Sequence, residues 1–142
     1  MSNPEYVYEM TILEHHLDTF GHVNNATYLE LYEEARWDFI TQNGMSLKDI
    51  MEKKQGPVVL DLNLTFKSEL LNREKIKIVS VARKEMRNKY ALVLDQKILK
   101  EGDKVASTLS LTVGMMDLEK RKLLSPTKEM LNALGVFEYV EP

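Results

Sequence analysis

Cysteine is missing from the chain altogether, which excludes a disulfide framework, a cysteine nucleophile and any thiolate-held metal. Proline and glycine are sparse, at 4 and 6 of 142 residues, and no repeat, low-complexity stretch or linker interrupts the sequence. Neither sign of charge dominates: the formal net charge is −3, and without a basic block the composition disfavours a nucleic-acid partner. Long apolar runs are lacking too. The opening MSNPEYVYEM has no basic flank leading into an apolar core, and no segment approaches the length of a membrane span. The expectation is a cytoplasmic protein without a membrane span. Its hydrophobic content of 44% suits one domain over residues 1–142.

What is present is a change of period along the chain. Residues 5–16 (EYVYEMTILEHH) are rich in β-branched and aromatic side chains and predict a first strand. From Ala26 to Gln42 the apolar residues Tyr28, Leu31, Tyr32, Ala35 and Phe39 recur every three or four positions, the mark of one helix face. Asn43 and Gly44 give it a left-handed stop. Ser46 with Asp49 predicts the capped start of a short second helix ending near Gln55, and Gly56 and Pro57 punctuate it.

Beyond Pro57 the pattern alternates. Leu60, Leu62, Leu64 and Phe66 share one face and Asp61, Asn63 and Thr65 the other, which predicts a half-buried strand. Residues 74–84, 89–100 and 104–117 follow suit as antiparallel neighbours, with Glu101, Gly102 and Asp103 as a hairpin loop. Pro126 opens a last segment in which Met130, Leu131 and Leu134 predict a docked helix stopping at Gly135. The fold class is α+β: one long helix on a mainly antiparallel sheet of about five strands.

Between the first strand and the long helix lies DTFGHVNNATY, residues 18–28. A helix start carries unpaired N–H groups and partial positive charge, so it can receive a negative charge as it develops. Asp18 stands just upstream as a candidate base or nucleophile. Asn24, Asn25 or Thr27 can equally be a plain helix cap, Thr27 with Glu30 fitting a capping box. Capping alone leaves Asp18, Gly21 and His22 without a purpose. A metal reading joins His16, Asp18 and His22 as two imidazoles and a carboxylate. Against it, His15 and His16 would point to opposite sides of a strand.

The pattern D-x-x-G-H-V-N-N-x-x-Y, running into Leu29, Glu30, Glu33, Glu34, Ala35, Arg36 and Trp37, resembles the hotdog-fold acyl-CoA thioesterases of the 4-hydroxybenzoyl-CoA thioesterase superfamily. Among these it is most similar to the bacterial long-chain acyl-CoA enzymes. The resemblance implies a sheet wrapped around the long helix, a homodimer or homotetramer with active sites between subunits, an acyl-CoA substrate and no cofactor or metal. It places Asp18 as the catalytic carboxylate, acting as nucleophile or through water, and the backbone N–H groups near Asn24 and Asn25 as the oxyanion donors. Related acyl-carrier-protein thioesterases have an Asn where this chain has Phe20, so their full arrangement does not carry over to His22. His22 is then a catalytic or a structural hydrogen-bonding residue, and Asn24 and Tyr28 are placed at the substrate or in the packing.

Arg83, Lys84 and Arg87, with Lys89, form a basic connection that suits coenzyme A phosphates or is a plain solvated turn, diluted by Glu85. Lys120, Arg121 and Lys122 are a second such cluster. Leu29, Tyr32, Trp37 and Met45 are candidates for an acyl tunnel or for ordinary core. Two classes of function stand: a thioesterase for a fatty or aromatic acyl-CoA, or for an acyl-carrier-protein thioester, and a non-catalytic acyl-CoA or lipid-binding protein on the same fold.

Overall fold

Residues 3–141 are described by the computed structural model. The first strand, β1 (Glu5–Thr11), ends earlier than its composition predicts. It pairs with β3 (Lys75–Ala82) up to Thr11↔Lys75, where β3 begins, and residues beyond have no strand to join. Glu14–His16 instead make one 3-10 turn, closed by the Leu13 N–H donating to His16 Nδ1 at 2.9 Å.

Helix α1 (Asn25–Gln42) buries Tyr28, Leu31, Tyr32, Ala35, Phe39 and Ile40. Its cap is Asn24, whose side chain accepts from the Thr27 N–H at 3.0 Å, so the capping box from Thr27 to Glu30 does not form. Gly44 (φ 99°) turns the chain away as the Asn-Gly pair predicts. Helix α2 (Leu47–Lys53) starts at Ser46 with the Asp49 capping box in place. It stops before Gln55 because Lys54 is left-handed (φ 55°) and the chain enters β2 (Gln55–Phe66) at once. Gly56 and Pro57 therefore lie inside a strand. The strand is an edge, which tolerates a proline, and a Cβ on Gly56 would come within 2.8 Å of Ile50 Cγ2 on α2.

The remaining strands are β4 (Ala91–Leu99), β5 (Val105–Asp117) and the short β6 (Lys122–Leu124). The sheet is antiparallel with order β1-β3-β4-β5-β2, and β6 folds back on β5, giving six strands. Helix α3 (Lys128–Ala133) is capped by Thr127 and ends at Gly135 (φ 77°). This is a hotdog fold, with α1 as the filling: its buried face meets Ile76 and Ile78 of β3, Leu92, Leu94 and Ile98 of β4, and Leu109, Leu111 and Val113 of β5 in one core. Burying each such side chain stabilises the fold by roughly 1.5–3 kcal/mol.

The apolar face expected for β2 is only partly covered within the chain: Leu64 packs against the core. Leu60, Leu62 and Phe66 are 42%, 43% and 52% exposed. A bulge between Val59 and Asp61 shifts the pairing with β5, and it is Phe66, at the end of the strand, that meets Tyr28 of α1. Among the described residues no helix is long and apolar enough to cross a membrane.

Candidate active site

The segment that leads into α1 is a closed turn. Leu17 bridges Val23, the Asp18 N–H donates to His22 O at 2.9 Å and the Gly21 N–H to Asp18 O at 3.1 Å. Gly21 takes φ 81°, a conformation side-chain-bearing residues resist. The Asp18 carboxylate completes the turn, with Oδ1 accepting from the N–H groups of Phe20 (2.8 Å) and His22 (3.3 Å). Its other oxygen, Oδ2, makes no hydrogen bond among the described residues. Phe20 sits at the tip and is 85% exposed.

Directly after the turn, Asn24 takes up the N–H of Thr27. The N–H groups of Asn25 and Ala26 remain as first-turn donors at the positive end of an 18-residue helix. Asn25 also lines a groove of about 450 Å³ with His22, Val23, Tyr28, Phe66, Lys67, Ser68 and Glu69. The larger cavity of about 810 Å³ lies between Glu9–Thr11, Arg73–Lys77 and Leu99–Asp103, and holds none of the motif residues.

Tyr28 forms the aromatic wall of the groove. Its ring stands edge-on to Phe66, with centroids 5.0 Å apart at 84°, and its hydroxyl donates to Ser68 O at 3.3 Å. Burial pushes the Tyr28 phenol above its usual range, so the hydroxyl is a neutral donor. His22 brings the second notable contact: Nδ1 is 3.3 Å from Glu69 Oε2. That nitrogen is sealed from solvent and has no hydrogen bond, the carboxylate being close but not aligned with it.

Helix and sheet place the basic candidates elsewhere. Arg83 forms a two-pronged ion pair with Asp95 at 2.6 and 2.9 Å, which holds its guanidinium charge above the ordinary range. Lys84 pairs with Glu138 at 3.2 Å, and Arg87 is an exposed turn residue whose N–H bonds Ala91 O. Phe66 aligns with Ser107 and so with Ile98 of β4, whereas Arg83 bonds Val93 of the same strand. That offset is roughly 16 Å at a strand's usual rise. Within one chain the structure does not bring Arg83, Lys84 and Arg87 to the groove. It also does not assemble the metal set: His16 Nδ1 is spent on the Leu13 N–H, and no three His, Cys, Asp or Glu among the described residues are placed to hold an ion.

Of the tunnel candidates, Tyr32 and Met45 are buried core, while Leu29 and Trp37 are partly buried at its margin. Phe66 showed in the sequence only as part of the alternating face of β2, and Lys67, Ser68 and Glu69 had no signal there. They follow a strand that alternates like any other, and only the β2–β5 register carries them to the start of α1.

The model of the thioesterase-like superfamily matches residues 13–134. A long-chain acyl-CoA thioesterase, FadM of Escherichia coli, is 31% identical over 128 residues, covering 89% of this chain and 94% of that protein. Among solved structures, the probable thioesterase YbaW of Escherichia coli superposes with a TM-score of 0.76 at 28% identity, over 92% of this chain and 96% of that one. A Staphylococcus aureus protein solved in complex with CoA shares the fold at a TM-score of 0.84 and 18% identity, covering 100% of this chain and 89% of that one.

Proposed function

The chain belongs to the thioesterase-like superfamily and is a thioester hydrolase, and we propose that its substrate is a fatty or aromatic acyl-CoA, cleaved to the free acid and coenzyme A at the turn 18–25. The observation that carries this reading is a single juxtaposition: a carboxylate held by the Phe20 and His22 N–H groups, immediately before the unpaired first-turn donors of α1. A thioester carbonyl set against the Asn25 N–H would be polarised, and its oxygen would find the positive helix end as it becomes an oxyanion. One such donor is commonly worth on the order of a hundredfold to a thousandfold in rate.

Asp18 then acts in one of two ways. Its carboxylate attacks the carbonyl carbon to give an anhydride that water opens, or it takes a proton from a water that attacks. Either way the carbon–sulfur bond breaks and the thiolate leaves. Coenzyme A is favoured over an acyl-carrier protein because Phe20 replaces the Asn of the related carrier-protein enzymes, while FadM acts on long-chain acyl-CoA and a fold neighbour was solved with CoA.

The working unit in this reading is a homodimer or homotetramer. Val59, Leu60, Leu62 and Phe66 leave an apolar, unpaired edge on β2, and Phe66 is also a wall of the groove. Pairing that edge with a second copy would cover it and close the groove between subunits. Arg83, Lys84 and Arg87 would meet coenzyme A phosphates only from a neighbouring subunit's loop. The test is a panel of acyl-CoAs with a thiol-detecting reagent. Thiol release from at least one chain length is expected, and measurable binding with no release from any would leave a non-catalytic acyl-CoA binder instead.

A further inference from the structure

We infer that Glu69 is a positioning residue for His22: it holds the imidazole with its proton on Nδ1, so that Nε2 faces the groove as a hydrogen-bond acceptor for the water of the reaction. The inference deepens the proposed function and rests on it for the identity of that water.

Three features of the structure lead here. His22 Nδ1 is buried with no hydrogen bond, yet it is 3.3 Å from Glu69 Oε2, and a buried polar nitrogen is costly unless paired. The side chain of His22 is nonetheless 42% exposed. With Nδ1 sealed, the exposure belongs to the rest of the side chain, and His22 lines the groove beside Asn25. Glu69 is 67% exposed, but its backbone is anchored from behind: Lys100, only 14% exposed, donates to Glu69 O at 2.5 Å and to Ser68 Oγ at 3.5 Å and pairs with Glu74 at 3.2 Å. Tyr28 fixes the same segment through Ser68 O. The segment just after β2 is therefore held by both Tyr28 and Lys100 while its carboxylate lies beside the imidazole.

The chemistry follows from how histidine works. Which ring nitrogen carries the proton is set by the partner of the other. A carboxylate at Nδ1 selects the Nδ1–H form and leaves Nε2 with its lone pair free. A water accepted there is oriented toward the thioester or toward the Asp18 anhydride, so the role is the same in both routes. Lys67 also lines the groove.

The tautomer can be read without turnover. In 15N-labelled protein at alkaline pH, the imidazole nitrogens of the 3 histidines are resolved by long-range 1H–15N correlation, and His22 is identified by its loss in His22→Gln. The expected result is His22 protonated on Nδ1 in the wild type and shifted to the Nε2–H form in Glu69→Ala. A wild type already in the Nε2–H form, or an alanine variant that leaves the tautomer unchanged, overturns the inference even if acyl-CoA hydrolysis is confirmed.

Turnover gives the second readout. In Glu69→Ala, kcat should fall on the order of tenfold with KM little changed, and Glu69→Asp should recover part of the loss. Added to His22→Gln, the Glu69→Ala change should cost nothing more, because the two act as a unit. Independent, multiplying losses would sink the pairing. If no acyl-CoA is hydrolysed, the proposed function fails and the tautomer measurement alone decides the pairing.

Discussion

The hydroxyl of Tyr32 donates to Ser107 Oγ at 2.8 Å in the interior, and Ser107 in turn donates to the Thr65 carbonyl at 2.8 Å. One buried chain thus joins α1, β5 and the edge strand β2. Burial drives the Tyr32 phenol far above its usual range, so it stays a donor. Tyr32→Phe should cost about 1 kcal/mol. Ser107→Val, which strands the tyrosine hydroxyl, should cost more, about 1–3 kcal/mol. Urea unfolding midpoints check both, and an equal or reversed order would show that the interior supplies Tyr32 with another partner.

Asp18 has a structural and a proposed chemical task, and two substitutions separate them. Asn offers an oxygen in the place of Oδ1, so Asp18→Asn should keep the turn and its melting temperature while losing about a thousandfold in thiol release. Asp18→Ala removes the acceptor from the Phe20 and His22 N–H groups, and should lose stability as well as activity. Full activity in Asp18→Asn would move the chemistry to another group.

Tyr8 donates to Glu34 Oε2 at 2.6 Å, and the carboxylate pushes its phenol from 10.0 up to about 12. The raised value means the folded protein keeps this proton while the unfolded chain releases it near pH 10. The contribution to stability is therefore whole below pH 10 and is lost as pH rises through about 12. Spectrophotometric titration should show one late-ionising tyrosine fewer in Tyr8→Phe, with Tyr28 and Tyr32 still ionising late, and that tyrosine moved back toward the ordinary range in Glu34→Gln.

The edge of β2 offers a test of assembly. Leu62→Lys puts a charge on a residue that is 43% exposed in the single chain, so it should leave the protomer folded while splitting the oligomer. Sedimentation velocity should show the wild type as a dimer or larger and the variant as a smaller, concentration-dependent species. A wild-type monomer at micromolar concentration would remove both the dimer and the shared groove.

Gly135 tests the seat of the C-terminal segment. It has φ 77°, and a Cβ there would lie 2.6 Å from Tyr6 Cε2, on a ring that stacks on Phe39 at 4.7 Å. Gly135→Ala should therefore destabilise by more than the roughly 1 kcal/mol of a left-handed alanine alone. Calorimetric melting of that variant against Gly44→Ala, where nothing lies within 4 Å, isolates the contact.

Local signals were legible where the cause is local. Asn-Gly at 43–44, the Ser46–Asp49 box and the three-to-four spacing of α1 each report a preference satisfied within a few residues, and each element forms. The failures share one cause. The run 5–16 has strand composition throughout, but its pairing partner β3 starts at Lys75, so the strand stops at Thr11. Gly56 and Pro57 signal a break, yet an edge position absorbs them into β2. Leu60 and Leu62 alternate as half-buried residues do, yet the edge position leaves them 42% and 43% exposed in the single chain.

The sequence by itself determined the helices and the four longer strands beyond Pro57 as types, the turn-and-helix start that carries Asp18, and the family, because propensity, capping and motif spacing depend on residues near one another in the chain. Only the tertiary structure decided that β2 lies at the edge, that Glu69 faces His22, and that Arg83 and Lys84 are committed to Asp95 and Glu138. Those relations join residues far apart in the chain, and they are set by strand order and register, which a two-residue period leaves open.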